Sequence, residues 1–301
     1  MRLKECYEHC RRIHQRHGKT YYFSTLLFPP EVRPQVYALY AFMRVADEIV
    51  DGPEDHPPER QLRALQSFEE ETLAAIRGEA TENPVLRAFA DTALRNEIPA
   101  GHIRSFMASM KMDTRISRYE TYEDLEEYMY GSAAVVGLMM CRVMGVKSEA
   151  ALPHAEALGV AMQLTNFLRD IREDWERGRV YLPLEDMKRF GYTEEDLAQE
   201  RINEPFANLM DFEIERARRL YAFADRGLDH IPRGRRYPIA VARHLYAAIL
   251  DHIERLNYDV FNHRAGTSIF EKLGVAAVCA ARSPNEILTR RTGCIGRPGV
   301  V

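Results

Sequence analysis

Apolar residues recur every three or four positions along most of this chain, and strong helix formers fill the positions between them. The pattern predicts helices at about 3–17, 31–51, 59–78, 84–96, 101–112, 121–146, 151–174, 203–229, 238–259 and 268–281. The breaks between them have a chemical basis. Pro30 can occupy a first helical turn. Gly52-Pro53 stops the second helix, and the EDHPPE stretch continues the loop. Thr121 can cap the following long helix, with Asp124 as its reciprocal capping-box partner. Gly178 and Pro183 flank a loop after position 174. There is no internal repeat and no long linker, so the expected fold class is all-α and single-domain. That domain spans 1–282. Residues 283–301, ending in RRTGCIGRPGVV, read as a weakly ordered tail.

Composition narrows the class. The chain has 301 residues, 46% hydrophobic and 29% charged, which is globular and large enough to enclose an apolar cavity. Its 41 basic and 45 acidic residues leave a formal charge of −4, with no general attraction for nucleic acid. The N-terminal MRLKECYEHCRRIHQRHGK has no apolar signal core, and no run approaches the roughly 20 apolar residues of a spanning helix. A cytoplasmic location is the expectation, with peripheral contact at a membrane left open if the substrates are lipids. Five widely spaced cysteines do not form a disulfide framework. Cys6 and Cys10 can share a helical face with His9 or His14, but no second ligand pair follows. His244 and His252 read as packing or surface residues.

Two acidic segments stand out. In Arg44-Val45-Ala46-Asp47-Glu48-Ile49-Val50-Asp51, Asp47 and Asp51 are four apart, so both lie on one helical face about 6 Å apart along the axis. In Asn166-Phe167-Leu168-Arg169-Asp170-Ile171-Arg172-Glu173-Asp174, Asn166, Asp170 and Asp174 form an i, i+4, i+8 row that drifts by only about 80°. Either segment alone could be a solvated helix face. Together, each beside arginine and apolar residues, they suggest a diphosphate held between two oxygen rows through Mg²⁺, with hydrocarbon tails in an apolar tunnel.

The chain resembles the squalene/phytoene synthase family from about Tyr7 to Lys272. The resemblance is carried by YYFSTLLFPPEVRPQVYALYAFMRVADEIVDG at 21–52, GSAAVVGLM at 131–139, AMQLTNFLRDIREDWERGRVYLP at 161–183 and YAAILDHIERLNYDVF at 246–261. It implies an isoprenoid-synthase helical bundle around a central cavity. It also implies that Asp47 and Asp51 face Asn166, Asp170 and Asp174 as metal-binding and catalytic groups, with Mg²⁺ as cofactor and Mn²⁺ compatible. Thr20, Thr25, Tyr40, Arg44, Arg264 and Lys272 are assigned by it to the prenyl diphosphate substrates. Tyr128 is assigned to catalysis, with Tyr130 as the alternative if the register slips. Asp113 and Arg115 could serve the pocket or a surface turn. Glu48 departs from the aspartate of many relatives without disturbing the DxxxD spacing.

The family reaction ionises one prenyl diphosphate, joins it to a second through a cyclopropylcarbinyl diphosphate, and ionises again to a 1–1′ linked hydrocarbon. Thr25 stands where dehydrosqualene synthases carry a bulky aromatic residue, and TLLFPPE and RYETYEDL resemble the phytoene-forming branch. Two C20 substrates, with no NADPH, are therefore expected. The alternatives are a C30 squalene, dehydrosqualene or presqualene diphosphate synthase, a prenyl-diphosphate hydrolase, and a non-catalytic helical interaction protein. The sequence carries no sign of an oligomeric state.

Overall fold

Helix α1 (Leu3–His17) buries Cys6, Cys10 and His14 at i, i+4 and i+8, the stripe that its apolar periodicity demands. In the computed structural model, which describes residues 1–51 and 57–281, fourteen further α-helices follow it. They are α2 (Lys19–Thr25), α3 (Arg33–Val50), α4 (Pro58–Ile76), α5 (Pro84–Arg95), α6 (Ala100–Met112), α7 (Tyr122–Met129), α8 (Val135–Val143) and α9 (Leu152–Arg169). Then come α10 (Ile171–Glu176), α11 (Leu184–Phe190), α12 (Glu194–Ala198), α13 (Glu204–Asp225), α14 (Arg233–Arg255) and α15 (Ile269–Ala281). Among the described residues there is no strand, and no helix is long and apolar enough to cross a membrane. The Gly52-Pro53 stop and the tail from 283 lie outside the described residues.

Three long elements differ from expectation. The span 121–146 is not one helix. Thr121 caps α7 in a capping box with Asp124, but a π turn (Tyr130–Ala134) then separates α7 from α8. Ser109 on α6 donates its hydroxyl to the Tyr128 carbonyl at 2.8 Å, and the Val135 N–H reaches back five residues to the Tyr130 carbonyl. The span 151–174 breaks at Asp170, whose φ of −105° and ψ of 20° leave the helical region. Its hydrogen bonds survive on both sides, from the Asp170 N–H to Asn166 and from Asp174 to Asp170, each 2.9 Å, so the oxygen row continues through the break. Helix α14 begins at Arg233 and carries Pro238 inside it, one turn later than a first-turn proline would stand. Helices α2, α11 and α12 are too short for the periodicity to reveal.

The interior has two main apolar clusters. One joins α1, α3, α4, α5, α6 and α8 around stacked Phe42 and Phe89, 4.0 Å between ring centroids. The other joins α7, α9, α13 and α14 around Phe167, Phe206, Tyr221 and Leu250. Between them lies a cavity of about 980 Å³. A small third cluster, Val241, Leu245, Ala276 and Cys279, seats α15 on α14 beside Phe23 and Leu27 of α2.

Helix α9 crosses α8 and the π turn before it closely along the cavity wall. A Cβ at Gly137 would come within 2.2 Å of the Ala155 carbonyl, and one at Gly159 within 2.3 Å of the Ala133 carbonyl. Glycine at both crossing points is what lets these backbones touch.

Candidate active site

The C-terminal ends of α3 and α9 bring the two acidic segments to one end of the cavity. Asp47, Asp51, Asn166, Asp170 and Asp174 all line it. Carboxylates at the negative ends of helix dipoles are unfavourable without positive charge nearby. Arginines supply part of that charge. Arg179, in the loop after α10, donates to Asp51 at 2.8 Å, with Arg177 at 3.7 Å from the same carboxylate. Asp170 accepts from Arg169 Nε at 2.8 Å and from Arg264 at 3.0 Å, and Arg264 also reaches Glu173 at 3.0 Å.

Asp47 and Asp174 have no hydrogen bond or ion pair to their carboxylates among the described residues. Burial, then the charge of Asp51, pushes the Asp47 pKa up to about 7. Burial, then Asp170, pushes Asp174 up to about 8, and Asp51 adds to it from the facing row. Asp170 is different: burial raises its pKa, but Arg169 and Arg264 outweigh that and the net direction is down. Glu213 provides a contrast. It is more deeply buried than any of these aspartates and raised to about 7, yet Arg216 bonds it and Asp186 together, which is a structural triad joining α11 to α13.

No three His, Cys, Asp or Glu side chains among the described residues converge to hold a metal by themselves. The unpartnered Asp47 and Asp174, with Asn166 of the second row, nonetheless offer an all-oxygen donor set suited to a hard divalent cation. Such a site needs oxygens from another source, and a diphosphate has them.

The substrate residues expected from the sequence also gather here, with one exception. Thr20, Tyr40, Arg44, Arg264 and Lys272 line the cavity. Arg44 pairs with Glu48 at 3.1 Å, and Thr20 lies 3.5 Å from Thr267. Burial and neighbouring Lys19 lower the Lys272 pKa, as expected for a basic group held near others. Tyr40 stacks on buried His14 at 4.0 Å, 12° from parallel. Thr25 does not line the cavity. It is fully buried and donates to the Tyr21 carbonyl at 2.8 Å, behind the Tyr21 that does line it. Tyr130 is 49% exposed and outside the cavity wall, so the register favours Tyr128.

Tyr128 belongs to an aromatic group that the sequence did not reveal as a unit. Its hydroxyl donates to Asp113 at 2.7 Å, and Tyr181 donates to the other oxygen of the same carboxylate at 2.9 Å. Phe167 stacks on Tyr181 at 4.1 Å. Burial raises the Asp113 pKa to about 6, against the nearby Arg179 charge and the two phenols. With its proton committed to Asp113, Tyr128 presents its ring to the cavity. Tyr246 on α14 also lines this end, close enough to Arg169 and Asp170 for their charges to act on its phenol. Arg115 is exposed and not part of the wall.

The remaining wall is apolar. Along α9, Ala155, Leu158 and Met162 precede Asn166 and Asp170, a run of about 22 Å from Ala155 to Asp170. Met110, Val136, Met140, Met144 and Ile239 line the cavity from the facing helices. One chamber thus has a charged end for a diphosphate and an apolar length for a hydrocarbon chain.

Comparison with known proteins adds to this geometry. The profile described as Squalene/phytoene synthase matches residues 14–271. A 15-cis-phytoene synthase from Synechocystis sp. is 40% identical over 283 residues, covering 90% of this chain and 83% of its own. A phytoene synthase from Arthrospira platensis is 39% identical over 282 residues, covering 89% and 90%. The crystal structure of a dehydrosqualene synthase in complex with ligand superposes with a TM-score of 0.86 at 28% identity, covering 93% of this chain and 96% of that one.

Proposed function

The chain belongs to the squalene/phytoene synthase family, and from that premise we propose that it is a prenyltransferase joining two geranylgeranyl diphosphates into 15-cis-phytoene. The observation that carries the reading is the chamber itself, in which unpartnered Asp47 and Asp174 line the charged end of a long apolar wall and Asp174 feels the charge of Asp51 from the other row.

In the first step the C1–O bond of one substrate breaks and diphosphate leaves with the electron pair. The C2–C3 π bond of the second substrate attacks C1, and loss of a proton closes a cyclopropane. The second C1–O bond then ionises. Rearrangement and loss of another proton give the hydrocarbon, so no reductant is consumed. A divalent cation, Mg²⁺ by the hardness of the donors with Mn²⁺ also compatible, would be held by Asp47, Asp51, Asn166, Asp170 and Asp174 and would neutralise charge developing on the departing diphosphate.

The chain's own groups do the rest. Arg44, Arg264 and Lys272 hold the outer phosphate oxygens. The rings of Tyr128, Tyr181 and Phe167 line the space where allylic cations form, and an aromatic face attracts a cation without reacting with it. The methionine-rich wall keeps water from those cations.

Incubation with C15 and C20 prenyl diphosphates and Mg²⁺, without and with NADPH, tests the reading. The expected product is C40 phytoene without reductant. C30 hydrocarbon alone would assign the chamber to farnesyl diphosphate. Prenyl alcohol alone would make the protein a hydrolase.

A further inference from the structure

We propose that a basic pocket outside the chamber, sharing Arg264, Ala265 and Gly266 with its wall, binds the inorganic diphosphate that the reaction releases. The pocket measures about 430 Å³ and lies at the C-terminal end of α14. His252, Arg255, Asn262, His263 and Arg264 line it, and none of its lining residues is acidic. That is a strong local bias in a chain whose formal charge is −4. A cleft lined by one sign of charge concentrates the opposite ion.

The acids nearest the pocket already have partners. Glu271 bonds His252 at 2.8 Å. Asp259 accepts from the Asn262 backbone at 2.9 Å and from its side chain at 3.1 Å, and stands 3.9 Å from His263. Arg255, in the last turn of α14, is exposed and makes no ion pair or side-chain hydrogen bond among the described residues. The negative end of the helix sets about half a charge against an anion here, and the guanidinium of Arg255 outweighs it. A planar guanidinium matches paired phosphate oxygens with two parallel N–H donors.

Arg264 joins the pocket to the chamber. Its side chain is 61% exposed, with Nη2 at 3.0 Å from Asp170 and Nη1 at 3.0 Å from Glu173, both of which line the chamber. Two carboxylates leave part of its five N–H donors free, so the same guanidinium can hold an anion from the outer side. The partition is thin beside it, since a Cβ at Gly266 would meet nothing within 4 Å. Each condensation sheds two diphosphates, and both must clear the carboxylate rows before the next substrates enter. Arg264 takes the anion at the inner side, and Arg255 and His263 receive it outside. That the anion is the reaction's product rests on the prenyl diphosphate reading; the binding site rests on the pocket's own residues.

The test is calorimetric titration of the full chain, without metal, with inorganic diphosphate and with orthophosphate. The wild type should bind diphosphate, and orthophosphate at least about tenfold more weakly because it lacks the second set of oxygens. R255E/H263E should weaken diphosphate binding by about tenfold or more, while a non-ionising prenyl diphosphate analogue with Mg²⁺ binds as before. R255A serves as a milder variant should the double change disturb folding, read by circular dichroism. In rapid-mix assays the first turnover should be unchanged in the variants and the steady-state rate about threefold to tenfold lower, because release has slowed. A wild type that binds no diphosphate, binds orthophosphate equally well, or loses nothing in the variants would overturn the proposal. So would variants that weaken the prenyl analogue to the same degree, which would make the pocket a seat for substrate, or an unchanged steady state. The titration needs no turnover, so it reads the pocket even where product analysis assigns the chamber another reaction.

Discussion

Arg179 Nη1 lies 2.8 Å from Asp51 Oδ1, tying the loop after α10 to the end of α3 across the charged end of the cavity. Asp51 is thereby neutralised before any ligand arrives, whereas Asp47, one turn earlier, faces the cavity with no such partner. Two carboxylates of one motif therefore play different parts in the stability of the empty protein.

Asp47→Asn should remove a half-buried negative charge that no side chain among the described residues pairs. The expected outcome is at least a hundredfold fall in turnover, on the order of losing one transition-state contact. Melting temperature should rise by about 2–4 °C, with circular dichroism unchanged. Asp51→Asn should lose activity to a similar degree without that gain, because it leaves Arg179 buried and unpaired. Thermal melts beside a labelled-substrate assay read both, and equal melting shifts would refute the distinction.

The raised pKa values set a pH dependence for the metal-free protein. Asp47 at about 7, Asp113 at about 6 and Asp174 at about 8 all stand above the ordinary 3.8 of an unfolded aspartate. The folded state thus binds more protons than the unfolded state between pH 4 and 8. Their stabilising contribution is complete below about pH 4 and drains away as pH rises through 8. Melting temperatures without metal between pH 5 and 8.5 should decline, and the decline should flatten in Asp47→Asn/Asp174→Asn. An identical slope in the double variant would remove these groups from the account.

Asp113 accepts from both Tyr128 and Tyr181, and an asparagine there has only one oxygen to offer. Asp113→Asn should leave one buried phenol unsatisfied and tilt the ring facing the cation. We expect kcat to fall by about tenfold to a hundredfold with KM little changed, since no substrate contact is lost. A change confined to KM would instead place Asp113 in binding.

Thr25→Phe acts at one remove, because Thr25 lies behind Tyr21 and not on the wall. A phenyl ring has no room there, so overpacking should cost about 1–3 kcal/mol and drive Tyr21 toward the cavity. In competition, the product ratio should shift from C40 toward C30, with a lower melting temperature. A folded variant with an unchanged ratio would take Thr25 out of the chain-length question.

Much of this arrangement could be read from sequence because its signals are local. Apolar spacing located the long helices, and four-residue spacing placed Asp47 with Asp51 and Asn166 with Asp170. Thr121 and Asp124 marked a helix start by chemistry alone. What escaped depends on contacts distant along the chain. The π turn is held by Ser109 on another helix, and nothing in YGSAA announces it. Asp113 is a single acid at a helix end until Tyr128 and Tyr181 converge on it from two other segments. Arg179 was one of several arginines near the second motif, and only the opposing α3 singles it out. Short α2, α11 and α12 lack the length for periodicity to register.

The π turn also fixes the rotational phase of the cavity wall. Tyr128 precedes it, and Val136 and Met140 follow it, yet all three point into the same chamber. In an uninterrupted helix, eight residues from Tyr128 to Val136 would leave the two about 80° apart. The wide turn absorbs most of that angle, so a ring that faces a cation and the side chains that sheathe its tail share one azimuth. Deleting a single residue between 130 and 134 would leave seven residues from Tyr128 to Val136, about 20° in a regular helix, so the wide turn is what lets one extra residue enter this wall without setting the greasy lining out of step with the chemistry.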